Sequence, residues 1–111
     1  MTIEIERAGE VLVLSPVGRL DSNNAGEAEK TILGKIAEGE MKIVFDFGRL
    51  DYISSAGLRV MLMAAKRLKQ GGGKMVLCAM RDHIREVFEI SGFLSILTVC
   101  PTRDEALTQV G

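Results

Sequence analysis

Two adjacent serines, Ser54 and Ser55, stand where an apolar run gives way to a helical pattern. The surrounding segment, residues 46–60, reads Asp-Phe-Gly-Arg-Leu-Asp-Tyr-Ile-Ser-Ser-Ala-Gly-Leu-Arg-Val. The first backbone N–H groups of a helix have no internal acceptors, and serine is among the residues that most often satisfy them. One serine here is therefore readable as an N-cap. The same position suits a regulated phosphate acceptor. A phosphoserine adds nearly two negative charges, and the free N–H groups and positive end of the helix tolerate them. Such a phosphate would leave the fold standing and act on a partner through charge and bulk. Gly57, two residues into the helix, admits either a close approach by another molecule or tight packing on a strand of its own chain.

Nucleophilic catalysis is less well supplied. The residues around Ser55 do not form G-x-S-x-G, and no lysine lies three residues after either serine. His83 is the single histidine and follows Asp82 at an expected helix start, the place of a surface or capping residue. Gly71-Gly72-Gly73 follows a helical pattern rather than a strand, and Lys74 lacks the spacing of a phosphate-binding loop, so the glycines read as a turn. Asp46 and Asp51 read as turn and loop acids. The chain is expected to have no catalytic residues, no cofactor site and no metal site.

These residues need elements to hold them. Residues 2–6 alternate polar and apolar, and with the turn signal Ala8-Gly9-Glu10 and the apolar run 11–14, continued by Pro16-Val17, they predict an antiparallel hairpin in which Pro16 marks an edge or the end of the second strand. Asn24 and Glu27 resemble a capping box, followed by Ala25, Ala28, Ile32 and Ile36 at helical spacing up to Gly39. Residues 41–47 contain Ile43-Val44-Phe45, a run expected of a strand buried on both faces of a parallel sheet. After a short loop, Ser54-Ser55 opens a helix with the stripe Leu58, Met61, Leu62, Ala65 and Leu68. Residues 75–79 form another strand, Asp82 caps a third helix, residues 96–99 form a last strand, and Thr102 with Glu105 opens a last helix. The expected order is β-β-α-β-α-β-α-β-α.

The 111 residues set one domain, 1–111, with enough chain to bury a core without a staple. A formal net charge of -1 excludes the basic excess of a nucleic-acid binder or a polybasic membrane module. Aromatics at 5% give little material for stacking bases. Cys78 and Cys100 have no neighbouring cysteine and no CxxC spacing, and read as buried thiols in a reducing cytoplasm. Glu4, Glu6 and Glu10 interrupt any secretory signal, and no apolar run nears the ~20 residues of a membrane span, so a cytoplasmic, soluble protein is expected.

The chain resembles the STAS domain family, and within it the bacterial anti-sigma factor antagonists. The resemblance is carried by Val17-Gly18-Arg19-Leu20-Asp21, Ile43-Val44-Phe45-Asp46-Phe47, Leu50-Asp51-Tyr52-Ile53-Ser54-Ser55-Ala56-Gly57-Leu58, Gly72-Gly73-Lys74-Met75-Val76-Leu77 and the 88–93 stretch with Ser91-Gly92. It implies an α/β fold: a mixed β-sheet with helices packed largely on one face. It implies binding to a serine-kinase anti-sigma factor, release of a sigma factor, and a switch in which that kinase phosphorylates Ser55 and a metal-dependent serine phosphatase reverses it. Asp21 is the acid implied near the serine across the loops, and Asp21, Ser54, Ser55, Gly57, Leu58 and Arg59 make the expected partner surface. Ser54 stands where sporulation and stress-response members usually have Asp, and Ala56 where they often have Ser or Thr. A rival reading is a constitutive STAS interaction module in a lipid-transport or sensory signalling complex.

Overall fold

The computed structural model describes residues 2–111. Gly9, at φ +63, turns the chain between β1 (Thr2–Ala8) and β2 (Val11–Leu20), which pair antiparallel from Thr2↔Val17 to Ala8↔Val11. Of the two readings of Pro16, a strand end and an edge, the first is not met, since β2 runs on to Leu20. Its other edge pairs with β3 through residues 12–14 and with β4 through residues 18–20, and Pro16 falls in the gap, where a missing N–H costs little.

The remaining elements are α1 (Ala25–Ala37), β3 (Lys42–Asp46), β4 (Leu50–Ile53), α2 (Ser55–Gln70), β5 (Lys74–Cys78), α3 (Asp82–Ile90), a 3-10 turn at Phe93–Ser95, β6 (Thr98–Cys100) and α4 (Arg103–Val110). The sheet runs β1-β2-β3-β5-β6, with β4 pairing the far end of β2. Apart from β1 against β2, every pairing is parallel. The short loop expected before Ser54 is in fact the strand β4. The last strand is Thr98–Cys100 rather than 96–99, because Ile96 projects into solvent and Leu97 is buried.

The two faces of the sheet are unequally covered. Leu12, Leu14, Ile43, Phe45 and Leu77 share a core with α1, α2 and α3, including Ile32, Met61, Leu68, Ile84 and Phe88. The other face carries Val11, Val13, Val44, Val76 and Cys78 under Ala106 and Val110 of α4 alone. This is the mixed sheet with helices largely on one face. Phe45, Phe47, Phe88 and Phe93 pack in a row with ring centroids 6.3, 6.0 and 6.5 Å apart, which commits all four phenylalanines to the interior or its margin.

Candidate functional site at the serine corner

The corner is built by β2 and β4 leaving the sheet side by side. Leu20 pairs with Ile53, so the next residues, Asp21 and Ser54, emerge together at the carboxyl ends of parallel strands. Sites gather at that edge in α/β sheets. The Ser54 N–H donates to the Leu20 carbonyl at 2.9 Å, which ties the two exits together.

Ser54 is the N-cap of α2. Its backbone is extended (φ -95, ψ 175) and its hydroxyl accepts the Gly57 N–H at 3.3 Å. Ser55 is the first helical residue; it is exposed, and its hydroxyl takes no part in the cap. Adjacent serines thus divide the work. Arg59, exposed and four residues on, shares the outer face of the helix with Ser55 and forms no ion pair among the described residues.

Gly57 and Leu58, expected on the docking surface, face inward. A Cβ on Gly57 would lie 2.8 Å from Ile53 Cγ1 and 3.0 Å from the Leu20 carbonyl oxygen, so the glycine serves close helix-to-strand packing. Leu58 belongs to the main core. The two hold α2 against the strands; the exposed groups are Ser55 and Arg59. The buried stripe of α2 is also rotated from expectation: Val60 and Ala64 are buried, whereas Leu62 and Ala65 are half-buried.

Asp21 is half-buried and braced by its own loop. Its carboxylate accepts the Asn23 N–H at 3.0 Å and lies 3.5 Å from Arg19 Nε. The Arg19 guanidinium sits 4.2 Å over the Tyr52 ring, joining β2 to β4 on the surface. The capping box expected at Asn24 does not form. Asn24 instead accepts from the Asp21 N–H at 2.9 Å and donates to the Arg19 carbonyl at 2.8 Å, because the chain must first be turned out of β2.

His83 is exposed, with Nε2 2.6 Å from the Asp51 carbonyl oxygen, while Arg81 donates to the Asp51 carboxylate at 2.5 Å and the Gly48 carbonyl at 3.2 Å. The start of α3 thus braces β4 from outside. Asp82 does not cap α3: Arg81 holds the cap position, and Asp82 lies in the first turn, favourably placed toward the helix dipole. Asp46 accepts the Gly48 N–H at 2.9 Å, the turn role expected of it. Its other oxygen accepts Arg103 Nε at 2.8 Å, a partner 57 residues away that no local pattern could indicate.

Among the described residues no helix is long and apolar enough to cross a membrane. A STAS domain profile matches residues 2–106. BtrV of Bordetella bronchiseptica, a candidate anti-sigma factor antagonist, is 46% identical over 106 residues, covering 96% of this chain and 91% of its own. The crystal structure of an anti-sigma factor antagonist from Mycobacterium paratuberculosis superposes with a TM-score of 0.90 at 26% identity, covering 98% of this chain and 92% of that one. The Bacillus cell fate determinant SpoIIAA in its phosphorylated form superposes at 0.75 with 25% identity, covering 99% and 100%.

Proposed function

The chain belongs to the STAS domain family, and on that premise we propose that it is an anti-sigma factor antagonist switched by phosphorylation of Ser55. The observation that carries the reading is the division of labour between the serines. Ser54 consumes its hydroxyl in the cap, and Ser55 presents a free hydroxyl at the helix start. The names of the two antagonists and the phosphorylated state of SpoIIAA support it.

In this reading a serine-kinase anti-sigma factor docks over the corner formed by Asp21, Ser54, Ser55 and Arg59, with Gly57 and Leu58 setting the helix beneath it. Docking occupies the anti-sigma factor and frees its sigma factor. Nucleotide belongs to the kinase, so this chain contributes no cofactor and no catalytic group. Transfer of the γ-phosphoryl group to Ser55 Oγ places about two negative charges where the partner sits, and the complex separates. A metal-dependent serine phosphatase restores the hydroxyl.

The test is phosphorylation by the host's serine-kinase anti-sigma factor with ATP, followed by fragment-resolved mass spectrometry of residues 50–59. Phosphate is expected on Ser55 alone, persisting in Ser54→Ala and absent from Ser55→Ala, whose complex ATP no longer dissociates. Phosphate on Ser54 overturns the residue assignment. A complex that ignores ATP, with an unmodified wild-type chain, supports the constitutive interaction module instead.

A further inference from the structure

Cys78 and Cys100, 22 positions apart in the sequence, are partners in register on the neighbouring parallel strands β5 and β6. Residues so paired project to the same side of the sheet. Here that side is the α4 face, where Cys78 sits in the small core and Cys100 packs against it. Neighbouring strands lie about 4.7–4.9 Å apart, within the ~4.4–6.8 Å between Cα atoms that a disulfide accepts. Both thiols are free. Strand β6 is three residues long, lies at the edge of the sheet and pairs with β5 alone, so it can close the remaining distance between the Cβ atoms.

We propose that this pair is a reversible oxidation site, at which a hydroperoxide converts the two thiols into an intramolecular Cys78–Cys100 disulfide beneath α4. The two cysteines are unequal in a way that orders the steps. Cys100 is half-buried and lines a surface recess of about 350 Å3 with Asp104, Glu105, Thr108 and Gln109 of α4, so it meets the oxidant. Cys78 is fully buried, and burial, reinforced by the charge of Asp46, pushes its thiol up to about 12. That keeps it protonated and out of reach of the oxidant; its place in register beside Cys100 makes it the resolving thiol, activated only as its proton passes to the departing hydroxide.

In the first step the Cys100 sulfur attacks one peroxide oxygen, the O–O bond breaks, and the departing oxygen takes the Cys100 proton, leaving Cys100 sulfenic acid and an alcohol, or water where the oxidant is hydrogen peroxide. In the second, the Cys78 sulfur attacks the sulfenic sulfur, the S–O bond breaks, and the departing hydroxide takes the Cys78 proton and leaves as water. Each peroxide thereby gains two electrons from the two thiols. The bond staples β6 to β5 at the foot of α4. That point already joins the sheet edge through the Ala79 N–H to the Cys100 carbonyl, at 3.3 Å, and the Phe47 N–H to the Cys78 carbonyl, at 2.9 Å.

The experiment treats the reduced full chain with hydrogen peroxide, quenches, denatures, and labels with maleimide before intact-mass and peptide analysis. The expected result is a monomer lighter by about 2 Da, with neither thiol labelled and one cross-linked Cys78–Cys100 peptide, all reversed by dithiothreitol. Cys100→Ser, a conservative change at a half-buried position, should abolish the mass loss while leaving Cys78 labelled. Cys78→Ala should halt at an oxidised Cys100, and circular dichroism of both variants establishes that they are folded. A wild-type chain that gains about 32 Da at Cys100 with Cys78 still labelled overturns the proposal. So does a covalent dimer through Cys100, or an unchanged mass.

Discussion

Two polar clusters sit at different places on the sheet, and they are wired in opposite ways. At the start of α4, Arg103 spends its guanidinium on partners from its own chain: Nε donates to Asp46 at 2.8 Å, the terminal nitrogens donate to Glu6 at 3.0 and 3.4 Å, and one of them reaches Ser15 Oγ at 3.4 Å. That one side chain spans β1, β2, β3 and α4. Hydrogen bonds to Glu6 and then Asp46 hold its protonated form more firmly than in free arginine. At the serine corner the cap is satisfied by Ser54, while Ser55 and Arg59 remain turned to solvent. Polar groups consumed internally fix the fold; those left unconsumed on a rigid element are available to a partner.

The difference follows from helix size. Helix α4 has eight residues and buries only Ala106 and Val110 completely, too little for a helix that is marginal in isolation. The Thr102 cap, which accepts the Glu105 N–H at 3.2 Å, and the Arg103 network supply what packing does not. Helix α2 has 16 residues and six buried positions, so its exposed face is free of structural duty.

The largest effect expected from this comparison is at Arg103. Arg103→Ala leaves Asp46, 17% exposed, and the buried Ser15 without their partner. With the guanidinium itself 34% exposed, solvent screening reduces the cost from that of a fully buried pair to about 2–3 kcal/mol. Urea unfolding should show that loss while affinity for the anti-sigma factor stays within twofold. A stable Arg103→Ala would mean that α4 is held by packing alone.

Next comes Gly57→Ala, which tests the packing beneath the serine corner. The added methyl meets a backbone carbonyl as well as two side chains, so the strand must shift, at about 1–3 kcal/mol. The melting temperature should fall, and partner affinity with it, because Ser55 moves with the helix. An unchanged melting temperature would return Gly57 to the role of a surface position.

Much of the local structure was legible in the sequence, because capping and turn chemistry are local. Ser54-Ser55 at a helix start, Gly71-Gly72-Gly73 as a turn and Asp46 as a turn acid all follow from near neighbours. Strand β4 was not legible. Its four residues have the burial order in, out, out, in, and it is defined by pairing with β2 beyond a register shift at Gly18/Arg19. The inward turn of Gly57 depends on Leu20, 37 positions earlier, and the Arg103 network joins residues from four elements. Pairing in space, rather than residue type, also brings Cys78 beside Cys100.

Ser54→Ala should cost about 1 kcal/mol, the usual loss for an N-cap hydroxyl, where Ser55→Ala should change stability by less than about 0.5 kcal/mol. Paired urea titrations check this. Equal losses at both positions would remove the division of labour on which the serine assignment rests.

The one stability effect of opposite sign, a gain, is expected at Ser55→Asp. The first turn of α2 contains no acid, and Asp21, which leaves the sheet beside Ser54, is engaged with Asn23 and Arg19. A new carboxylate at the first helical position therefore meets the positive end of the helix dipole in a turn that holds no other acid. It should stabilise the chain by about 0.3–1 kcal/mol at low ionic strength. Because the position is exposed, most of that gain should vanish in about 1 M salt, where screening acts within a few ångströms. If the anti-sigma factor docks over Ser55 as proposed, partner affinity should move the other way, by roughly 2–5 kcal/mol, since the same charge would then be desolvated. Urea titrations at two salt concentrations and one calorimetric titration separate these effects. A Ser55→Asp chain that is destabilised by more than about 1 kcal/mol would show that Ser55, like Arg103, is committed to the fold rather than held open for a partner.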